Sequence, residues 1–227
     1  MADYREYQQQ VVDTCHKLVD KGFLIGTGGN VSVRIAGQPL MAVTPSNYDY
    51  MKMNPEDICV LGLDAKVVEG SLKPSIESSM HAAIYAQRPD VNAVIHTHQI
   101  YASAFALINE PIPAVYDEQV RFLGRSVEVV SYAPSGTPFL KRNLVSRLGN
   151  HCNAYIFQNH GAVCLAGDPE RAIFNVELLE KCALTYLLAL CTDKKVTRIP
   201  LAVREIAFSK LRKDQSRYAA ANDAPKP

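Results

Sequence analysis

Apolar side chains recur at helical spacing near the N-terminus, where Tyr7, Val11, Cys15, Leu18 and Val19 interrupt a polar stretch from about Tyr4 to Lys21. Gly22 follows where a helix would stop, so the chain opens with an amphipathic helix. The period then drops to two. Val31-Ser32-Val33-Arg34-Ile35 alternates as a half-buried strand does, fed by the turn Gly26-Thr27-Gly28-Gly29-Asn30. Pro39 to Thr44 reads as its hairpin partner, ended by Pro45-Ser46-Asn47, with further short strands at Ile58-Cys59-Val60-Leu61 and Val67-Val68. From Ser75 to Gln87 the helical period returns, with Ile76, Met80, Ala83 and Ile84 on one side and Arg88-Pro89-Asp90 closing it. The pattern next predicts a strand from Ala93 to His98, a helix from Tyr101 to Leu107, a strand from Val127 to Val130 and a helix from Thr137 to Leu148. Strands Ala154 to Phe157 and Ala162 to Ala166 lead to a long helix from Pro169 to Leu190, with Asp168 as N-cap and Pro169 at the first helical position. Strands and helices interleave without linker or repeat, which predicts one α/β domain over residues 1–221 and a short disordered tail over 222–227.

Composition narrows the partners. A chain of 227 residues with 48% hydrophobic content can bury one substantial core. Its 24 Lys plus Arg balance 23 Asp plus Glu, so no field of one sign exists to draw nucleic acid or an anionic membrane, and a small molecule is the expected partner. No run approaches the roughly 20 apolar residues of a membrane span, and Met1-Ala-Asp-Tyr-Arg-Glu-Tyr lacks a secretory pattern, so a cytoplasmic location is expected. The six cysteines show no C-x-x-C spacing and read as small buried hydrophobes.

Candidate chemistry sits at strand ends. Side chains two apart on a strand share a face, so His96 and His98 present two imidazoles side by side, with a third histidine in the turn Asn159-His160-Gly161. Such a set reads either as satisfied core histidines or as ligands of a divalent cation, and nitrogen with carboxylate suits zinc better than calcium or magnesium. Glu77, near a helix start, is favoured there by the dipole whatever its role. His81, four residues on, makes an E-x-x-x-H pair that is either a metal clamp or an ordinary helix contact; His16 and His151 carry less. The glycine turn matches neither G-x-G-x-x-G nor a P-loop, but it permits close approach to an anion, and Ser46 and Ser75 follow prolines in similar turns. Three small polar turns could converge on one phosphate.

As an ordered set, Gly26-Thr27-Gly28-Gly29-Asn30-Val31-Ser32, Thr44-Pro45-Ser46, Lys73-Pro74-Ser75-Ile76-Glu77, His96-Thr97-His98 and Asn159-His160-Gly161 resemble the class II aldolase and adducin-head family over about Tyr4 to Leu190. The resemblance implies a three-layer α/β/α sandwich around a mainly antiparallel central sheet, a homotetramer and active sites between subunits. It implies Zn2+, with Mn2+, Co2+ or Fe2+ as alternatives, on Glu77, His96, His98 and His160, and a substrate phosphate held by Thr27, Gly28, Asn30, Ser46, Asn47 and Ser75. Two positions depart from the family's fuculose-phosphate aldolases: Ile76 replaces a second phosphate serine, and Asp117, between Tyr116 and Glu118, aligns with a tyrosine that acts as acid or base. The proton donor is therefore assigned only to the group Tyr116, Asp117 and Glu118 of an adjoining subunit.

The activity so implied is reversible retro-aldol cleavage of a ketose 1-phosphate, such as fuculose, 5-deoxyribulose or 5-methylthioribulose 1-phosphate, to dihydroxyacetone phosphate and an aldehyde. Glu77 would act as base or acid at the carbon beside the carbonyl, helped by a pKa raised through burial. Alternatives on the same scaffold are a 4-epimerase, a decarboxylase or a dehydratase of phosphorylated substrates, and, from another class, a non-catalytic interaction module. Tyr218 reads as a tyrosine at the edge of a surface helix or as a contributor to the aldehyde contacts.

Overall fold

The structure is a computed structural model that describes residues 4–192 and 194–223. One sheet organises it. After α1 (Arg5–Asp20) come β1 (Asn30–Ile35), β2 (Leu40–Val43), β3 (Cys59–Gly62) and β4 (Val67–Glu69), a meander of antiparallel neighbours. Helix α2 (Ser78–Gln87) leads to β5 (Ala93–Thr97), which pairs with β1, and α3 (Ile100–Ile108) and α4 (Asp117–Phe122) follow. Then come β6 (Glu128–Val130), α5 (Pro138–Val145), β7 (Ala154–Phe157), β8 (Gly161–Ala166), α6 (Pro169–Leu190) and α7 (Leu201–Asp223). The eight strands lie in the order β4-β3-β2-β1-β5-β8-β7-β6. Among them only β6 and β7 run parallel, so the sheet is mainly antiparallel, as expected.

Strand alternation divides the interior into two cores. On β5, Ala93 and Ile95 join the cluster beneath α1, α3 and α6, while Val94 joins the cluster beneath α2 and α5. On β8, Ala162, Cys164 and Ala166 face the first layer, and Val163 and Leu165 the second. Central strands are thus buried on both faces, which is why they read as continuous apolar runs. The result is the three-layer α/β/α sandwich. His96, two positions beyond Val94, falls on the α2 face.

Some boundaries differ from the sequence pattern for visible reasons. The helix expected from Ser75 starts at Ser78, because Pro45 and Pro74 form an antiparallel bridge and Ser46 and Ser75 donate backbone N–H groups to Lys73 and Thr44. The helix expected to reach Leu148 ends at Val145, and a separate 3-10 turn covers Leu148–Asn150. Helix α4 has no counterpart in the predicted elements, and α7 none beyond the surface helix considered for Tyr218. Their shared core is small, Ala114 and Val120 against Ala207, Phe208 and Leu211, too sparse a stripe to show as a period. Helix α7 also runs through Asp223, so the tail expected from residue 222 begins no earlier than the end of that helix; residues 224–227 lie outside the described residues. All six cysteines are free, five of them buried and Cys191 exposed.

Candidate functional site

His96, the last residue but one of β5, lies directly opposite Asn30 of β1 in the strand register. Its Nδ1 lies 2.8 Å from the Ala162 carbonyl, so the ring proton resides there and the Nε2 lone pair is left free. That Nε2 is 3.1 Å from Nε2 of His98 and 3.3 Å from Oε2 of Glu77. His160 sits in the three-residue turn between β7 and β8, made possible by Asn159 at φ 55°, a left-handed conformation that asparagine tolerates. This turn brings His160 Nε2 to 3.7 Å from Glu77 Oε1. One nitrogen from each of the three imidazoles lies within 4.8 Å of the others.

Two glycines make this crowding possible. A Cβ on Gly161 would lie 2.5 Å from the Thr97 carbonyl oxygen and 2.7 Å from the His98 ring, and Gly29, at φ +83°, leaves only 2.5 Å to the His96 carbonyl oxygen. Neither position accepts a side chain without moving a histidine.

Burial holds the His96 and His98 imidazoles in their neutral form. His96 is pushed down to about 4 by burial, against the opposing pull of Glu77, and His98 is lowered chiefly by burial and then by His160. Neutral imidazoles are the form that binds a cation. The expectation for Glu77 is overturned in sign. Burial does raise its pKa, but His96, the Asn30 amide, His160 and His81 together outweigh that, and the carboxyl falls below its usual value. Its wall is a ring of donors and imidazoles, not an apolar surface. Glu77 is 4% exposed, and its Oε1 is buried without a hydrogen-bond partner among the described residues. A buried anionic oxygen beside three converging imidazoles is the chemistry a divalent cation satisfies.

The phosphate candidates surround the same place. A cavity of about 220 Å³ is lined by Thr27, Gly28, Asn30, Ser46, Asn47 and Ser75 together with Glu77, His96, His98 and His160. Thr27 Oγ1 donates to Asn47 Oδ1 at 3.0 Å, joining the glycine turn to the Pro45-Ser46-Asn47 turn, where Asn47 has φ 55°. Asn30, also a wall of this cavity, donates its amide Nδ2 to Glu77 Oε2 at 2.9 Å. Ile76, in place of a second serine, is 54% exposed. A residue that sequence reasoning missed is Ser135, whose Oγ lies 3.2 Å from His160 Nε2. A signal was available: the sequence contains three Pro-Ser pairs, and all three serines line this cavity. A larger cleft of about 830 Å³, with Arg125, Arg147, Arg198 and Arg204 among its walls, holds none of the expected residues.

Other candidates lie elsewhere. Tyr116, Asp117 and Glu118 start α4 away from the cavity walls, with Glu118 paired to Lys181 at 3.1 Å. His16 meets the Tyr50 carbonyl, and His151 occupies a left-handed turn before β7. Tyr218 donates to Asp168 Oδ2 at 2.6 Å, and its ring covers Gly167, so it fastens α7 to the start of α6.

With this geometry in view, comparison with known proteins is direct. The family model for the class II aldolase and adducin N-terminal domain matches residues 9–187. The chain is 35% identical over 179 residues to the 5-deoxy-D-ribulose 1-phosphate aldolase of Bacillus thuringiensis serovar kurstaki, covering 79% of this chain and 83% of that one. It is likewise 35% identical over 188 residues to an L-fuculose phosphate aldolase of Escherichia coli, covering 83% and 86%. A solved L-fuculose 1-phosphate aldolase superposes with a TM-score of 0.87 at 34% identity, over 93% of this chain and 98% of that chain. The protein therefore belongs to the class II aldolase and adducin N-terminal domain family.

Proposed function

We propose that this protein is a zinc-dependent aldolase that reversibly cleaves a ketose 1-phosphate to dihydroxyacetone phosphate and an aldehyde. The observation that carries the reading is the meeting, in one cavity, of His96, His98, His160 and Glu77 with the three polar turns bearing Thr27, Ser46, Asn47 and Ser75. The names of the similar proteins, which act on fuculose and 5-deoxyribulose phosphates, point to the same substrate class.

Carbon-carbon cleavage leaves an electron pair beside the substrate carbonyl. A divalent cation on the three histidines and Glu77 would supply Lewis-acid stabilisation of that developing negative charge. The protein's own groups do the rest. Thr27, Ser46, Asn47 and Ser75 hold the phosphate through hydroxyls, an amide and nearby backbone N–H groups, fixing the substrate's register so that its reacting carbon meets Glu77. Glu77, with its carboxyl held ionised, is equipped to accept a proton from the carbon next to the carbonyl and to return it.

A neighbouring copy completes the site in this reading. Three exposed isoleucines stand at or within two residues of cavity positions: Ile25 before the glycine turn, Ile76, itself a cavity wall between Ser75 and Glu77, and Ile100 just after His98. Apolar exposure concentrated at a site mouth marks a surface meant to be covered. The homotetramer supplies that cover, and the Tyr116-Asp117-Glu118 segment of an adjoining subunit supplies the proton donor.

The test is to load the protein with Zn2+, offer a panel of ketose 1-phosphates and identify products by mass. Dihydroxyacetone phosphate with a matching aldehyde is expected; no cleavage of any candidate by protein carrying one ion per chain would refute the reading.

A further inference from the structure

Strand β1 and helix α2 are joined by polar contacts in step with their two periods. Asn30, Ser32 and Arg34, every second residue of the strand, meet Glu77, His81 and Tyr85, spaced four apart from the N-cap of the helix inward. Asn30 Nδ2 donates to Glu77 Oε2 at 2.9 Å, Ser32 Oγ lies 2.7 Å from His81 Nδ1 and 2.8 Å from the Tyr85 hydroxyl, and Arg34 donates to the Tyr85 carbonyl at 2.6 Å.

One hydrogen-bond order along this ladder places the His81 proton on Nε2. In that order the buried Tyr85 hydroxyl donates to Ser32 Oγ. Ser32 then gives its own proton to His81 Nδ1, and a neutral imidazole that accepts at Nδ1 carries its hydrogen on Nε2. Burial, which pushes His81 down to about 3, keeps it in that neutral form. His81 is fully buried, and its Nε2 has no partner among the described residues. One helical turn away on the same face is Glu77, whose Oε1 is also buried without a partner.

We propose that His81 is a positioning residue for Glu77, presenting a buried, uncharged N–H donor to the carboxylate from the helix side as Asn30 does from the strand side. Asn30 holds Oε2 at 2.9 Å, and His81 would supply a second contact to which the unpartnered Oε1 could turn on release from the cation. The inference rests on Glu77 being the carboxylate of the metal site. It gives His81 an assignment distinct from that of a metal ligand, consistent with its absence from the converging histidine set.

The first test uses the full-length protein without substitution. Imidazole nitrogen NMR of the Zn2+-loaded form should show His81 protonated on Nε2, and a ring protonated on Nδ1 would overturn the proposal. The second uses His81→Phe, which keeps a ring and removes the donor, against His81→Gln, whose amide reaches toward the same place. Zn2+ affinity, read by chelator competition, should weaken about tenfold or more in the Phe variant and return to within about threefold of the parent in the Gln variant. The visible spectrum of Co2+-substituted protein should change and recover in the same order. Parent-like Zn2+ affinity and Co2+ spectrum in His81→Phe, or equal loss in both variants, would also overturn it. If the Phe variant fails to fold, the tautomer measurement decides alone. None of these readouts needs turnover, so a parent protein that binds Zn2+ but cleaves no sugar phosphate would count against the proposed reaction and leave this test intact.

Discussion

At the residue scale, the site is set as much by absent side chains as by present ones. A Cβ at Gly161 would meet the Thr97 carbonyl and the rings of His98 and His96, so a single methyl group there has no space except by displacing a histidine. Gly161→Ala should weaken Zn2+ binding about tenfold or more while the far-ultraviolet circular dichroism stays that of the parent. Chelator competition measures the first and spectroscopy the second; parent-like affinity would show that the rings relax around the methyl. The histidines themselves were legible from spacing, because a strand's period of two puts His96 and His98 on one face by geometry alone. Ser135 was not. Its place beside His160 depends on where the loop before α5 returns, so close to Ile76 that a Cβ on Gly136 would lie 3.1 Å from the Ile76 carbonyl oxygen.

At the element scale, α7 shows how a helix can be fastened with little apolar stripe. Its shared core with α4 is small, and polar ties take over part of the load: Tyr218 to Asp168, Gln215 to the His151 carbonyl and Asn153, Asn222 to the Pro89 carbonyl and Asn92. The hydrogen bond to Asp168 pushes the Tyr218 phenol up to about 12, so it remains a donor at neutral pH. Tyr218→Phe should cost about 1 kcal/mol of stability, the worth of a partly exposed hydrogen bond, and leave the turnover number within about twofold of the parent. Urea denaturation and a steady-state assay together check this. A large fall in turnover with unchanged stability would place the tyrosine in the chemistry instead. The missed α4 and α7 and the late start of α2 share one cause: each is decided by partners distant in sequence, which local periodicity does not report.

At the scale of the whole molecule, two predictions follow from burial. Ile100 is 73% exposed beside the site, so Ile100→Glu should dissociate the proposed tetramer and lower activity with it, as light scattering on a sizing column and a cleavage assay would show. An unchanged assembly would mean that this face is not the contact. The second concerns acid. His81 and His96 take up protons at about 3 and about 4 in the folded metal-free protein but near the ordinary value of about 6.5 when unfolded. Between these values the unfolded chain binds more protons, so stability is complete above about pH 6.5 and declines steadily as the pH falls through this window. Urea midpoints of metal-free protein at pH 7 and pH 5 should differ in that direction, and His81→Phe should flatten the slope.

What the chain's order of residues determined by itself was everything governed by local period and steric limit: the strands that carry the ligands, the helix starts marked by Asp168 and Thr137, and the turns built on Pro-Ser pairs and glycine. Only the tertiary structure decided how these pieces meet. It paired β1 with β5 so that Asn30 faces His96, and it inverted the expected shift of Glu77 by surrounding the carboxylate with donors. Such outcomes depend on distances across the sheet between residues far apart in the chain, and no periodicity encodes a distance of that kind.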